Sequence, residues 1–488
     1  MKCNMSAFRR HISIFIFVLV SVFAGAFQTH ASSGVQKAKG EVDWTILIYA
    51  QANNSLSTFA YKNFNDMATA GSNKDVNVVV QWYKAGEPGT FRYRIENGRL
   101  ELDECLKAPT DGNKSEDLVG AMRWAVSKYP AKKYCLVLWN HGIGILDPAW
   151  GNSVMMVSPR FIDNNPRIQI AGVTEADTGI LADDNMFDIS INATRNTSNL
   201  GGAFSDTDLY RSNTELYSVA EHRGILFNER SRTYMNNQSL SKALSIIKTD
   251  VLKNKKIDVL GMDACLMAMV EVGYQVKDYA QYMVASQEVE LAYGWNYKML
   301  LQAFGINKLT PLEVAQSIVL VYEELYKKQI QFYTQSAMKL ENSNLLKISI
   351  DNVARDILSC CDLDFNGFTQ VVKMARNKCV SFSTPTYIDA HSFFHELDSL
   401  IVSLYEKSQS SKNLGKTKTA TDKLKISLKT AQDVIEDTVV AQVSGKYYLK
   451  AKGLSIYYPS KAISKSYAST DFARDSVWYS FLQQAVYW

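Results

Sequence analysis

The chain has 488 residues, of which 47% are hydrophobic and 21% charged, and its formal net charge is +4. This composition is typical of a folded globular protein and excludes a disordered or collagen-like chain. A general nucleic-acid binder of this size would carry a larger basic excess, and seven cysteines are too few for a disulfide scaffold. The length allows two to three domains, or one large unit with additions.

Residues 1–31 have the pattern of a signal peptide. Basic residues at positions 2, 9 and 10 precede an apolar run over residues 12–27, and the small residues Thr29 and Ala31 offer a cleavage site. The run is about 16 residues long, shorter than the roughly 20 that a spanning helix needs, so cleavage is favoured over an uncleaved anchor. We therefore expect an exported protein, secreted or periplasmic, with a polar lead-in over residues 32–42 and no membrane span after signal removal.

Short apolar, β-branched segments alternate with helical patterns along the first part of the chain. Strands are predicted at residues 44–49, 76–82, 134–139, 257–261 and 282–286, and helices begin near Ser115 and Ser239. This alternation indicates an α/β fold with a mainly parallel sheet. From Thr310 onward helices dominate, at about residues 311–326, 342–376 and 392–407, with a solvated loop at 406–423 and a late strand at 453–458.

Residues 151–221 interrupt the alternation of strands and helices. The segment is rich in Asn, Asp, Ser and Thr, and its apolar residues follow neither a helical nor a strand period. A connection this long is uncommon inside a compact domain unless it is functional or disordered. We interpret it as an insertion.

Two predicted strands end in residues that carry chemistry. Residues 140–142, Asn-His-Gly, follow one strand, and residues 263–265, Asp-Ala-Cys, follow another. Reactive residues of open α/β sheets collect at the carboxyl edge of the strands, which would place the imidazole of His141 near the thiol of Cys265. A histidine can activate a cysteine for attack on a carbonyl, and a helix predicted over residues 266–276 would lower the thiol pKa further. The backbone N–H groups of Gly142 and Cys265 are candidate donors to an oxyanion.

These residues also have purely structural interpretations. A cysteine between a strand and an apolar helix is often a small buried hydrophobe, and Asp263 could cap the following helix. Residues 362–367 imitate the start of a calcium loop, but Lys373 occupies the twelfth position, where a carboxylate is needed. His391 and His395 lie four residues apart without a third ligand, so neither a metal nor a cofactor is predicted.

Residues 44–49, 138–142 and 262–268 together resemble the clostripain family of cysteine peptidases, and shorter similar pieces extend to Pro459. The resemblance implies a caspase-like fold, a three-layer α/β/α sandwich, with a His–Cys dyad and a preference for Arg or Lys before the cut bond. It implies that Cys265 is the nucleophile, that His141 is the base and leaving-group acid, and that Asp263 is the acid of the substrate pocket (S1). Calcium dependence occurs in part of the family, but no ligand cluster stands out in this sequence.

The resemblance also implies a domain organisation and a mode of activation. Residues 43–305 would form the catalytic region, and residues 306–488 a helix-rich C-terminal region whose late strand packs on it. Family members are often matured by self-cleavage between the histidine and cysteine blocks, which here falls in the 151–221 insertion. A departure from the family is Gln287-Glu288, where relatives often have two acids.

The expected function is therefore a secreted cysteine endopeptidase that acts on proteins or peptides after Arg or Lys. The alternative is a catalytically inactive relative that serves as a protein-binding or adhesion module. Because both dyad residues are present, the sequence favours the enzyme.

Overall fold

A sheet of nine strands runs through the part of the chain that this computed structural model describes, residues 41–110, 112–146, 224–228, 233–306, 308–405 and 414–488. The predicted signal peptide and the 151–221 insertion lie outside the described residues. The described strands are, in chain order, β1 (Val42–Ala52), β2 (Val76–Lys84), β3 (Thr90–Glu96), β4 (Arg99–Leu106), β5 (Ala131–Trp139), β6 (Ile225–Asn228), β7 (Thr233–Met235), β8 (Ile257–Asp263), β9 (Ala280–Ala285), β10 (Thr334–Lys339), β11 (Tyr387–Asp389), β12 (Val439–Ser444) and β13 (Ser455–Tyr457).

The centre of the large sheet is parallel. Its strand order is β12-β10-β9-β8-β5-β1-β2-β3-β4. The five strands from β9 to β2 in this order are parallel, and an antiparallel pair flanks them on each side. β1 and β2 are buried along nearly their whole length, as expected for strands that are covered on both faces. The predicted α/β class with a mainly parallel sheet is confirmed.

Helices cover both faces of the sheet. The described helices are α1 (Ser57–Ala68), α2 (Ser115–Lys128), α3 (Asn237–Ile246), α4 (Val270–Val276), α5 (Tyr297–Ile306), α6 (Pro311–Tyr326), α7 (Ser343–Leu363), α8 (Phe365–Lys378), α9 (Ala390–Leu400), α10 (Leu414–Thr438), α11 (Asp471–Asp475) and α12 (Val477–Ala485). Successive residues of a strand point to opposite faces. Ile46 and Ile48 of β1 therefore share a core with α1, α5 and α6, whereas Leu47 and Tyr49 share a core with helices of the opposite layer. The fold is a three-layer α/β/α sandwich.

None of the helices within residues 41–488 that the structure describes combines the length and apolar character needed to cross a membrane.

The predicted solvated loop at residues 406–423 is wrong over its second half. Residues 414–423 belong to α10, and residues 406–413 lie outside the described part of the chain. Thr417, Thr421, Leu424 and Leu428 are buried at intervals of four, three and four residues, which is the spacing of one helix face. The lysines that suggested a loop occupy the exposed side of this amphipathic helix.

β10 extends the sheet with a polar sequence that gave no strand signal. Thr334, Gln335 and Ser336 are buried, and each makes a side-chain hydrogen bond. The contact between Gln335 and Glu290 links this strand to the loop after β9, which borders the candidate site. Tertiary pairing therefore decides the conformation of this segment more than its composition does.

Candidate active site

The histidine and the cysteine lie at one edge of the sheet because their strands are neighbours. β5 and β8 are parallel, and Trp139 at the end of β5 pairs with Asp263 at the end of β8. His141 and Cys265 each follow two residues later, and both line the same cleft. The full lining of this cleft is Leu56, Trp139, Asn140, His141, Gly142, Asp263, Ala264, Cys265, Val289, Glu290, Leu291, Ala292 and Gly294.

Gly142 allows the histidine loop to approach the cysteine loop closely. A Cβ atom at position 142 would lie 2.7 Å from the carbonyl oxygen of Cys265 and 3.0 Å from the side chain of Met267. Gly142 also forms an antiparallel bridge with Ile225. The hydrogen bonds of that bridge come from neighbouring N–H groups, so the N–H of Gly142 remains a candidate donor to an oxyanion.

The backbone after the cysteine does not form the predicted helix. α4 begins at Val270, and Leu266 has a φ of +63°, in the left-handed region that branched residues rarely adopt. The N–H of Leu266 donates to the carbonyl of Glu288 at 3.1 Å, and the N–H of Ala268 donates to the carbonyl of Ser286 at 2.8 Å. These bonds hold the cysteine loop beside the residues after β9. The predicted effect of a helix dipole on the thiol is therefore wrong, because no helix starts at the cysteine.

The side chain of Asn140 fixes the backbone before the histidine. Its Oδ1 accepts hydrogen bonds from the N–H of His141 at 2.6 Å and from Nδ2 of Asn54 at 2.6 Å. Its Nδ2 donates to the carbonyl of Phe227 at 2.9 Å. The carbonyl of His141 accepts the N–H of Leu226 at 3.2 Å. Residues 224–228, which follow the insertion, thus lie against the histidine loop.

Asp263 and Glu290 form a buried acidic pair in the cleft. Each residue is 5% exposed, both line the same cleft, and the charge of one carboxyl acts on the pKa of the other. Oδ2 of Asp263 also accepts the hydroxyl of Tyr297 at 2.7 Å, and Oε1 of Glu290 accepts Nε2 of Gln335 at 3.0 Å. Burial raises the pKa of both carboxyls, and the charge of Asp263 raises the pKa of Glu290 further.

No cation of the described residues neutralises this pair. The ion pairs within the described ranges of the chain include neither acid. Two buried carboxyls that interact in one cleft favour a state in which one of them is protonated, since two like charges repel strongly in a buried site. The cleft therefore contains negative charge that a positively charged ligand group would stabilise.

Glu290 is a site residue that sequence analysis missed. The resemblance directed attention to Gln287 and Glu288, but Glu288 is buried away from the cleft. Its carboxylate accepts the N–H of Ser383 at 2.9 Å and the hydroxyl of Tyr448. Both glutamates follow β9 two residues apart, so composition alone gave no reason to prefer one. Only the path of the loop shows which of them faces the cysteine.

The remaining histidines of the described chain do not join the cleft. His391 lies on α9, and its Nε2 is 3.2 Å from Oε1 of Glu436. His222 lies outside the described residues. Over the described ranges, no three residues of the metal-binding types (His, Cys, Asp and Glu) cluster in a way that could hold an ion.

The chain is an α/β/α sandwich with a histidine and a cysteine just after the ends of neighbouring parallel strands. This combination of fold and cleft is typical of one class of cysteine peptidases. The chain belongs to the clostripain family, whose model matches residues 48–190 and 206–488. The unmatched residues 191–205 fall within the predicted insertion. The family that the sequence resemblance indicated is thereby confirmed.

Solved structures of clostripain-family (C11) proteases share the fold. A secreted C11 cysteine protease from Bacteroides thetaiotaomicron, in complex with an irreversible peptide inhibitor, has 17% identity and a TM-score of 0.53, covering 91% of this chain and 99% of that one. An inactive zymogen C11 protease from Parabacteroides distasonis has 17% identity and a TM-score of 0.53, covering 89% and 98%. These likenesses confirm the caspase-like sandwich. No curated protein matches the chain.

Proposed function

We propose that this protein is an exported cysteine endopeptidase that cleaves proteins and peptides after Arg or Lys, with His141 and Cys265 as its catalytic dyad. The observation that carries this proposal is the meeting of the two loops at one cleft that also contains a buried acidic pair. Membership of the clostripain family supports the reaction class. The acidic pair supports the preference for a basic side chain.

The mechanism follows from the chemistry of the two side chains. The Cys265 thiolate attacks the carbonyl carbon of the scissile peptide, and the N–H groups of Gly142 and Cys265 stabilise the resulting oxyanion. The His141 imidazolium donates its proton to the leaving amine, and a thioester forms. His141 then removes a proton from water, which attacks the thioester carbon. Collapse of this second intermediate releases the carboxylic acid, and the proton returns to the sulfur.

The preference for a basic residue rests on Asp263 and Glu290. A desolvated cation needs a buried carboxylate as partner, and these acids lie in the cleft beside the proposed nucleophile. Gly294 keeps the carboxylate of Asp263 accessible, because a Cβ atom there would lie 2.6 Å from Oδ2. Gly294 also has a φ of +61°, a backbone conformation that glycine adopts more readily than other residues.

Fluorogenic peptides that end in Arg, Lys or a neutral residue test both parts of the proposal. We expect turnover of the basic peptides by the mature protein and none by Cys265→Ala. Asp263→Asn should lower kcat/KM for arginyl peptides by at least about tenfold, or ~1.4 kcal/mol. Asp258→Asn is the matched control, because Asp258 is a partly buried acid at the opposite end of the same strand. Equal turnover by wild type and Cys265→Ala would reject the dyad.

Alkylation of the cysteine separates the enzyme from an inactive relative. Cys265 is half-buried and borders the cleft, whereas burial raises the pKa of Cys135, Cys360, Cys361 and Cys379. We expect iodoacetamide to label Cys265 rapidly near neutral pH. Cys105 is exposed and must be replaced by serine or resolved by peptide mass spectrometry. An unreactive Cys265 in folded protein would favour the inactive protein-binding module.

We further propose that the protein matures by self-cleavage in the 151–221 insertion. Seven arginines and no lysine lie between Gly142 and Asn236, at positions 160, 167, 195, 211, 223, 230 and 232. An arginine-specific peptidase would find several sites there. Wild type should convert to two associated fragments, while Cys265→Ala stays one chain by mass spectrometry. A fully active but uncut wild type, or Cys265→Ala cut at the same bond, would contradict self-activation.

A further inference from the structure

The loop after the histidine, residues 142–145, is held from two sides by segments that are distant in the sequence. On one side the N–H of Ile143 donates to the carbonyl of Gly224 at 3.2 Å. On the other side the hydroxyl of Tyr387, in β11, donates to the carbonyl of Ile143 at 2.6 Å. Ile143, two residues after His141, is thus hydrogen-bonded through both its N–H and its carbonyl.

Tyr387 is itself rigidly placed. Its side chain is fully buried, and β11 pairs with β13 so that Tyr387 lies opposite Tyr457, with ring centroids 6.3 Å apart. The ring lies directly on the histidine loop at Gly144, where a Cβ atom would be 2.9 Å from the ring carbon Cε2. Gly144 has a φ of +77°, so the backbone turns there in a conformation that glycine favours.

The two-stranded ribbon of β11 and β13 contacts the cysteine loop as well. Ser455 of β13 donates its N–H and its hydroxyl to the carbonyl of Ala268, at 2.9 Å and 3.1 Å. Ser455 also forms a parallel bridge with Met269. One small element from the C-terminal part of the chain therefore binds the backbone after each of the two dyad residues.

We infer that Tyr387 is a positioning residue for the dyad: its hydroxyl fixes the carbonyl of Ile143 and thereby the placement of His141 relative to Cys265. The inference rests on the proposed peptidase function. Without the Tyr387 hydroxyl the carbonyl of Ile143 loses its hydrogen-bond donor, and this part of the loop can shift between its remaining contacts, at Gly224 on one side and through Ile145 to Asn237 and Met269 on the other. Misplacement of a catalytic group by about 1 Å lowers a rate by up to about 100-fold. The acidic pair in the cleft does not contact Tyr387, so substrate binding should be unaffected.

Tyr387→Phe removes this hydroxyl and retains the ring. Tyr457→Phe is the matched control, because its hydroxyl accepts the N–H of Ser464 at 2.9 Å and touches neither catalytic loop. We expect Tyr387→Phe to lower kcat on an arginyl peptide about tenfold with KM unchanged within about twofold. The apparent pKa of Cys265 alkylation should rise, because a displaced imidazolium stabilises the thiolate less. Tyr457→Phe should match wild type in both measurements.

The outcomes separate this inference from the proposed function. A wild type that neither cleaves basic peptides nor reacts with iodoacetamide contradicts the dyad itself. Wild-type activity with an unchanged kcat and alkylation profile in Tyr387→Phe overturns the positioning role. An equal loss in Tyr457→Phe also overturns it, since the effect would then belong to the ribbon's stability. A Tyr387→Phe protein that is unfolded at the assay temperature overturns it too, because the hydroxyl would then act in folding.

Discussion

Replacing Gly142 with alanine tests how closely the two catalytic loops must approach. The added carbon would lie 2.7 Å from the carbonyl oxygen of Cys265. A carbon and an oxygen in contact are separated by about 3.4 Å, so the loops must move apart by roughly 0.7 Å. Position 142 is not in the left-handed region, so the effect is steric and not conformational. From the sensitivity of rates to such displacements, we expect kcat to fall about 10- to 50-fold, or roughly 1.4–2.3 kcal/mol.

The assay compares kcat and KM for an arginyl peptide, with thermal unfolding measured on the same samples. Gly305→Ala is the control, because the nearest atom to a Cβ there is Nδ2 of Asn73 at 3.9 Å. This helical glycine should accept alanine with unchanged kinetics and a gain in stability of about 0.5–1 kcal/mol. KM of Gly142→Ala should stay near wild type, because the acidic pair is not displaced. A folded Gly142→Ala protein with wild-type kcat would refute the requirement for close approach.

Three further predictions concern titratable groups. The KM for arginyl peptides should rise as the pH falls through the raised pKa values of Asp263 and Glu290, because protonation removes the negative charge that binds the arginine side chain. The KM for neutral peptides should show no such rise. Burial raises the pKa of Glu271 to about 7 from 4.5. The folded state thus holds this proton more tightly than the unfolded state does. The contribution of Glu271 to the free energy of unfolding is therefore full below pH 4.5 and falls by about 3 kcal/mol as the pH rises from 4.5 to about 7. Glu271→Gln should flatten that part of the pH dependence in denaturant titrations, and an equally steep profile would contradict it. Replacing both His391 and His395 with glutamine should leave peptidase activity and bound metal unchanged; loss of bound zinc would show that they are ligands.

The parallel core was predictable because its strands are apolar along their whole length. The segment around Ile46 is apolar on both faces, and within an α/β fold a central strand of the parallel sheet is the element that is covered on both faces. The placement of His141 and Cys265 at one edge then followed from strand direction alone. β10 was not predictable, because its Thr, Gln and Ser side chains are buried only through partners elsewhere in the chain.

The details of the site depend on contacts that composition does not encode. Leu266 breaks the predicted helix, because backbone hydrogen bonds to the loop after β9 favour its left-handed conformation. Glu290 and Glu288 have the same chemistry and nearly the same position, and only tertiary structure directs one to the cleft. Tyr387 lies 246 residues after His141, by subtraction of their numbers, so no local pattern connects them.

The pairing of β5 with β8 determines which two fragments a cut in the insertion would produce. Strands β1 to β5 precede the insertion and form one side of the sheet, while β8, β9, β10 and β12 follow it and form the other. A cut between Leu146 and Gly224 would leave His141 on one polypeptide and Cys265 on the other. Separation of the two fragments would expose the unpaired backbone N–H and C=O groups along one edge of β5 and one edge of β8. Exposed strand edges of this kind tend to pair with other strands or to aggregate in water. The processed protein would therefore be an obligate heterodimer with a composite active site, and neither half would be active without its partner.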